Sequence, residues 1–421
     1  MQAAAADLGS LHAIADLNNQ GPLNGLVEAA PGVFYSNGGE SHQAIFEVTA
    51  TGTVSRVADL PPGQYIQAPL VGGANGLFYS SAAHRLDPVS LFSIGHAPGS
   101  LRFYPPHNLD PMLTENLADG SLLGIAATLS ANPVYSLVKC GLDGGVTSLH
   151  EFAAGERLPR TAIYARDGRY YGLAYLPDGS GYVYAFTSSG KLTKLASLPP
   201  GSLKGNPVDV PLVEGQDGNF FGSTNSGGAS HTGTIYKLTP SGHFATLHSF
   251  AADRNSFSPT TLIEASDGNL YGTTLGVESQ FFRITKSGAF TLLSTMVMVK
   301  DGRCPCQLIQ ASDGAIYGTA SLGGTTGLGT VFVWHGDLPK PRPRVLSFQP
   351  ESAAPGAEVL IWGAHLLGAS VSFNDLPAAK VSAIGPNYVR ATIPSGAATG
   401  PITVTTSGGR ARSLASLKII R

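Results

Sequence analysis

One short pattern returns seven times along the chain, and its spacing leaves few folds open. A glycine in a short turn stands just before an aromatic or apolar pair. It appears as "APGVFYS" at Gly32, "GANGLFYS" at Gly76, "ADGSLLGI" at Gly120 and "RDGRYYGL" at Gly168. It continues as "QDGNFFGS" at Gly218, "SDGNLYGT" at Gly268 and "SDGAIYGT" at Gly314. Successive glycines lie 44, 44, 48, 50, 50 and 46 residues apart. The best-preserved unit, "TTLIEASDGNLYGTTLGVESQFFRITKSGAFTLLSTM" at 260–296, reads as four strands. Apolar residues alternate, β-branched and aromatic types dominate, and turn residues separate the runs. Asp-Gly suggests a two-residue hairpin turn, because glycine accepts the positive φ that such turns need. Four-stranded units of this length, repeated several times, describe a β-propeller, and seven anchors give seven blades.

The seventh unit lacks its last strand. "CQLIQASDGAIYGTASLGGTTGLGTVFVWH" supplies three strands and then runs into "GDLPKPRPR". The missing piece stands at the other end of the chain, as "SLHAIADL" at 10–17. It resembles the fourth strands "VSRVADL" at 54–60, "VTSLHEF" at 146–152, "LTKLASL" at 192–198, "FATLHSF" at 244–250 and "FTLLSTM" at 290–296. The N-terminal segment is therefore expected to pair beside Thr330–His335 and close the ring. Closure of this kind removes the exposed sheet edges.

The period breaks after Pro339, Pro341 and Pro343, which make a stiff linker. Beyond it, about seven short runs with turn signals between them fit a small immunoglobulin-like sandwich. The domain reading is a tail at 1–10, a propeller at 11–337, a linker at 338–343 and an immunoglobulin-like domain at 344–421. The fold class is thus all-β: a seven-bladed propeller closed by the N-terminal strand, plus a sandwich.

The 53 glycines and 29 prolines, with only 13 % charged residues, suit short strands and tight turns. A net charge of −2 and the lack of a basic stripe give no reason to expect nucleic acid. No apolar run approaches the roughly 18 residues of a membrane helix. The N-terminus lacks the basic and long apolar parts of a signal peptide and could be what remains after one was removed. Three cysteines, Cys140, Cys304 and Cys306, are no disulfide framework. "CPC" at 304–306 reads as free or locally paired thiols ahead of a metal site, which normally gathers three or four ligands.

Units five to seven resemble the GloVer tandem repeat of bacterial exported proteins, through "LVEGQDGNFFGSTNSGGASHTGTIYKLTPSGHFATLHSF", "LIEASDGNLYGTT" and "LIQASDGAIYGTASLGGTTGLGTVF". Units one to four are more diverged, with Gly72 and Gly73 replacing polar residues in unit two. The tail resembles an IPT/TIG domain, through "FQPESAAPGAEVLIWG", "VSFNDLPAAKV" and "ATIPSGAATGPITVTT". Both resemblances imply an extracellular or cell-surface setting. Neither implies a settled chemistry, because a fold does not fix a function.

In a propeller the turns within hairpins one–two and three–four share one face. The two–three loops and the blade connections share the other, where ligand sites usually gather. The loop face is expected to hold His42, His84, His107, Arg160, His231 and Arg254 as candidate catalytic groups. His or Tyr would act as general base, and Arg would hold a uronate carboxylate for polysaccharide lysis. Paired carboxylates would serve glycoside hydrolysis instead. His42 and His231 occupy the same place in "GGxSH" of units one and five. Candidate binding residues are Tyr65, Tyr104 and Tyr175, whose rings could stack on sugars, with Arg85 and Asp253. On the innermost strands, Glu28, Glu214 and Glu264 share a repeat position with Gln310. They could ring a hard cation such as Ca²⁺, the one cofactor considered, or bond the neighbouring blade. The Asp-Gly turns explain their own residues without a metal.

The sequence leads first to a secreted recognition protein that binds a polysaccharide or a surface protein. The alternatives are a secreted polysaccharide lyase or glycoside hydrolase, and a purely structural surface repeat. No "GxSxG", "HExxH" or phosphate loop is present.

Overall fold

The computed structural model describes the chain apart from residues 1–10, 17–22, 39–42, 67–68, 74, 76, 84–88, 96–98, 108, 117–120, 129–132, 157–161, 179, 188–190, 199–211, 225, 252–256, 277–278, 298–300, 326 and 421. Among the described residues, 11–334 form seven small antiparallel sheets. Six follow chain order. The sheet of Phe257–Glu264, Leu270–Leu275, Ser279–Ile284 and Phe290–Met296 is typical. The seventh contains Arg303–Gln310, Ile316–Leu322 and Thr330–Trp334, and its fourth strand is Leu11–Asp16. Leu11 lies opposite Trp334 and Asp16 opposite Thr330, with a bulge between Ala13 and Ala15.

Each sheet shares an apolar core with the next. The first and second meet around Tyr35, Ile45, Phe78 and Phe92. Five further cores join the second sheet through to the seventh. A last one joins the seventh back to the first, where Tyr317, Val331 and Val333 meet Phe34, Phe46 and Ala15. The order is cyclic, as in a β-propeller. Burial on both sheet faces explains why the second and third strands are apolar throughout, as in Tyr170–Tyr175 and Gly181–Phe186.

The turns differ in detail from the sequence expectation. Gly168 N–H donates to Ala165 O at 3.0 Å, and Ala165 N–H donates to Arg169 O at 2.9 Å. The same pair of bonds recurs at 215–219, 265–269 and 311–315. Only the glycine of each turn has positive φ, 79° at Gly168 and 80° at Gly268. A primed two-residue turn needs positive φ at the aspartate as well, so these are three-residue loops ending in a glycine bulge. The aspartate has its own work. Asp267 Oδ1 accepts the Asn269 N–H at 3.0 Å, and Oδ2 accepts the Tyr271 O–H at 3.0 Å. Asp167–Tyr171 and Asp313–Tyr317 repeat the second bond at 2.6 and 2.8 Å.

The glycine after the aromatic pair has a different cause. A Cβ on Gly272 would sit 2.6 Å from Thr261 O and clash with the Phe282 ring, and one on Gly318 would sit 2.9 Å from Gln307 O and clash with the Phe332 ring. In the fourth to seventh sheets the third-strand aromatic lies over that glycine, so the motif couples the second and third strands there. In the second sheet the inner strand is split into Tyr65–Ile66 and Val71–Gly72. This is the unit whose polar strand-one residues are replaced by glycine.

Residues 344–420 form two further sheets. One orders Arg344–Gln349, Glu358–Ala364, Tyr388–Thr392 and Lys380–Gly385. The other is five-stranded, with Gly409–Ile419 and Gly400–Thr406 at its centre. Phe348, Val359, Ile361 and Val389 from the first meet Val371, Phe373, Ile402 and Val404 from the second in one core. No helix among the described residues is long and apolar enough to cross a membrane.

Candidate functional site

The inner-strand carboxylates face partners, not a common centre. Glu28 Oε2 accepts the Ser312 N–H at 2.9 Å and Oε1 accepts its hydroxyl at 2.7 Å. Glu214 Oε1 accepts the Arg166 N–H at 3.0 Å. Glu264 Oε2 accepts the Gln216 N–H at 2.7 Å, and Gln310 Oε1 accepts the Ser266 N–H at 2.8 Å. In each case a residue of one sheet holds the first N–H of the Asp-Gly turn in the sheet before it. These side chains are clamps between neighbouring sheets, and Glu28 makes the clamp where the ring closes. The cation reading of Glu28, Glu214 and Glu264 gains no support from this geometry. Among the described residues no group of three His, Cys, Asp or Glu gathers to hold a metal. Burial pushes the Glu28 and Glu264 carboxyls above the usual carboxylate range, against the pull of Ser312 on one and Lys286 on the other.

The aromatic candidates need correction. Tyr104 is 6 % and Tyr175 7 % exposed, so neither can stack on a sugar. Tyr104 belongs to the strand Arg102–His107 and packs with Tyr79 in the core between the second and third sheets. Its hydroxyl lies 3.1 Å from Ser93 Oγ. Tyr175 lies in the core between the fourth and fifth sheets. Tyr65 is half-buried in its short inner strand. His231 is exposed on the loop of the fifth sheet, at φ 58°. His107 ends its strand, and its side chain lies outside the described residues. His42, His84, Arg85, Arg160, Asp253 and Arg254 also lie outside them. Cys140 is a buried free thiol that burial pushes up to about 12.

A concave site lies elsewhere among the described residues. The linker and the C-terminal sandwich sit on the turn face of the ring. Arg344 Nη2 lies 2.8 Å from Glu214 Oε2, and the Ser266 hydroxyl donates to Pro339 O. Gln310 Nε2 donates to the same carbonyl at 3.2 Å. Leu142 packs against Trp362 and Tyr388 of the sandwich. Between the two parts lies a cavity of about 560 Å³. Arg166, Glu214 and Glu264 line it from the ring, Arg342 from the linker, and Arg344, His365 and Arg412 from the sandwich. Glu214 is matched by Arg344, and Glu264 by Lys286 at 2.5 Å. The linker sequence "PKPRPR" was the one sequence signal for this site.

His365 gives the site a pH dependence. Burial lowers its imidazole to about 4, so the folded protein holds it neutral while the unfolded chain protonates near 6.5. The unfolded state then binds more protons as pH falls from about 6.5 towards 4, and stability falls with it. His365 also sits at φ 55°, a conformation that asparagine tolerates. H365N is therefore expected to keep the turn and to lose less thermal stability than the parent between pH 7.5 and 4.5, by about 5 °C. Parallel melting curves check this; equal losses in both proteins would remove His365 as the cause.

A family model described as the Gloeobacter/Verrucomicrobia repeat matches residues 109–332. No curated protein matches the chain. Among solved structures, a fungal alcohol oxidase in complex with copper is similar at 11 % identity and TM-score 0.47, covering 97 % of this chain and 98 % of that one. A protein from Lactobacillus plantarum is similar at 17 % identity and TM-score 0.48, covering 73 % of this chain and 95 % of its own. An oligogalacturonate lyase in complex with manganese is similar at 12 % identity and TM-score 0.42, covering 72 % and 73 %. The repeat model spans more than half of the 421 residues, and the protein belongs to the Gloeobacter/Verrucomicrobia repeat family.

Proposed function

We propose that the protein is an exported recognition module that binds a glycan or a surface protein on the loop face of its propeller. In this reading each of the seven sheets is one blade, and the C-terminal sandwich is an immunoglobulin-like domain of the IPT/TIG kind. The observation that carries it is the placement of the sandwich. The sandwich meets Leu142 and Glu214, and the linker meets Ser266 and Gln310, all at the turn ends of their sheets. Among the described residues these contacts fall on the turn face, and His231 is exposed on the loop face. Loops on a rigid scaffold are the usual place for such a site.

The test is retention on a panel of neutral and acidic polysaccharides, with and without Ca²⁺. Absorbance at ~235 nm and reducing ends are followed in the same tubes, as elimination and hydrolysis respectively would require. Retention of the protein on one polymer without product is the expected result. Product from one polymer would replace recognition by catalysis at the same face. Neither retention nor product, with any polymer, would count against a glycan and leave a protein partner.

A further inference from the structure

The cavity between the ring and the sandwich is not absorbed by any role on the loop face, and its charges do not balance. Four arginines line it, Arg166, Arg342, Arg344 and Arg412, against two carboxylates, Glu214 and Glu264. Both carboxylates are already committed. Glu214 holds Arg344 at 2.8 Å with Arg166 at 3.9 Å, and Glu264 holds Lys286. Arg412 shares Asp375 with Arg410, and its own contact is the longer, 3.7 Å against 3.0 Å. Arg342 has no carboxylate partner among the described residues. Two guanidinium groups, one on the linker and one on the sandwich, are thus left with most of their donors free at the wall of one cavity. A guanidinium matches a carboxylate or phosphate through two parallel N–H bonds. The remaining wall mixes apolar and aromatic residues, such as Tyr164, Val213 and Val345, with the polar Gln216, Ser266 and His365. A volume of about 560 Å³ falls within the range of small-molecule sites.

We propose that this cavity binds a small organic oxyanion, a carboxylate or phosphate monoester about the size of a sugar, held by Arg342 and Arg412. Because the walls come from ring, linker and sandwich, a bound anion would also fasten the sandwich to the turn face. Ligand and docking are then linked, and saturation raises the stability of the docked chain.

The experiment is calorimetric titration of the full chain with three probes that share one ring: glucuronate, glucose 6-phosphate and glucose. The expected result is binding of at least one anion and none of glucose. Glucuronate alone would identify a carboxylate ligand, glucose 6-phosphate alone a phosphate ester, and both the shared oxyanion chemistry. R342Q is expected to weaken binding about tenfold, the worth of a charge-assisted bond, and R342Q/R412Q further. R56Q, which changes an exposed arginine on the edge strand Val54–Asp59 of the first sheet, leaves the affinity unchanged. Arg342 is exposed and unpaired, so R342Q alone keeps the test intact should the double variant fold poorly. Three results would each overturn the proposal: neither anion binds, glucose binds as well as the anions, or R342Q and the double variant retain full affinity.

Discussion

A chain lacking residues 1–16 is expected to melt at least 10 °C below the parent, or to lose its cooperative transition altogether. The fourth strand of the last sheet is Leu11–Asp16, paired along its length with Thr330–Trp334. All five residues of Thr330–Trp334 are buried. Removing the partner strand leaves one edge of a buried strand without hydrogen bonds. At about 1 kcal/mol per lost bond this costs on the order of 5 kcal/mol, before any loss of packing. That is comparable to the whole stability of an ordinary domain. Ala15 also leaves the core that joins the seventh sheet to the first. The naked edge, "TVFVW", is apolar and β-branched, so the truncated protein should associate through it. A peptide covering 8–18, added in excess, should restore monomer and melting temperature. Truncation after residue 8 keeps the strand and serves as the control. An unchanged melt without residues 1–16 would mean that the ring does not depend on this strand.

Glu214→Ala should be the most damaging single substitution on the turn face, at about 3 kcal/mol or more. Its carboxylate is 7 % exposed and serves two partners at once. One oxygen accepts the Arg166 N–H of the preceding sheet, and the other meets Arg344 at the start of the sandwich. Removal takes a carboxylate from a half-buried guanidinium and the acceptor from a turn N–H together, and losing one partner of a buried bond costs more than the bond was worth. Arg344→Ala should cost less, because Glu214 keeps the Arg166 N–H and lies within 3.9 Å of its guanidinium. A double-mutant cycle in urea checks both: the coupling between the two positions should exceed about 1 kcal/mol. A Glu214→Ala variant within about 0.5 kcal/mol of the parent would show that this contact does not fasten the sandwich to the ring.

The repeat made much of this architecture legible. A turn glycine followed by an aromatic or apolar pair is visible wherever it occurs, and its spacing counts the sheets. The closing strand was legible because five internal copies showed what a fourth strand looks like. The turn type was not, because Asp-Gly serves both two- and three-residue loops, and only the bonds of Ala165 and Gly168 separate them. Tyr104 and Tyr175 were misread as a platform for a related reason: an amphipathic ring suits a ligand surface and a core equally. Their burial depends on the adjoining sheet, which sequence position does not reveal. Glu214 and Glu264 shared a visible repeat position, but their partners stand 48 residues earlier, on another sheet. The cavity depends on the docking of the tail against the ring, a contact between parts more than a hundred residues apart.

The most direct measurement is native-state hydrogen exchange of the full chain, read at the peptide that spans Leu11–Asp16. A ring closed by that strand requires its amides to exchange as slowly as those of Thr330–Trp334, and both only through global opening. Exchange of the N-terminal peptide within seconds, while Ile316–Leu322 stays protected, would contradict the closure on which this architecture rests.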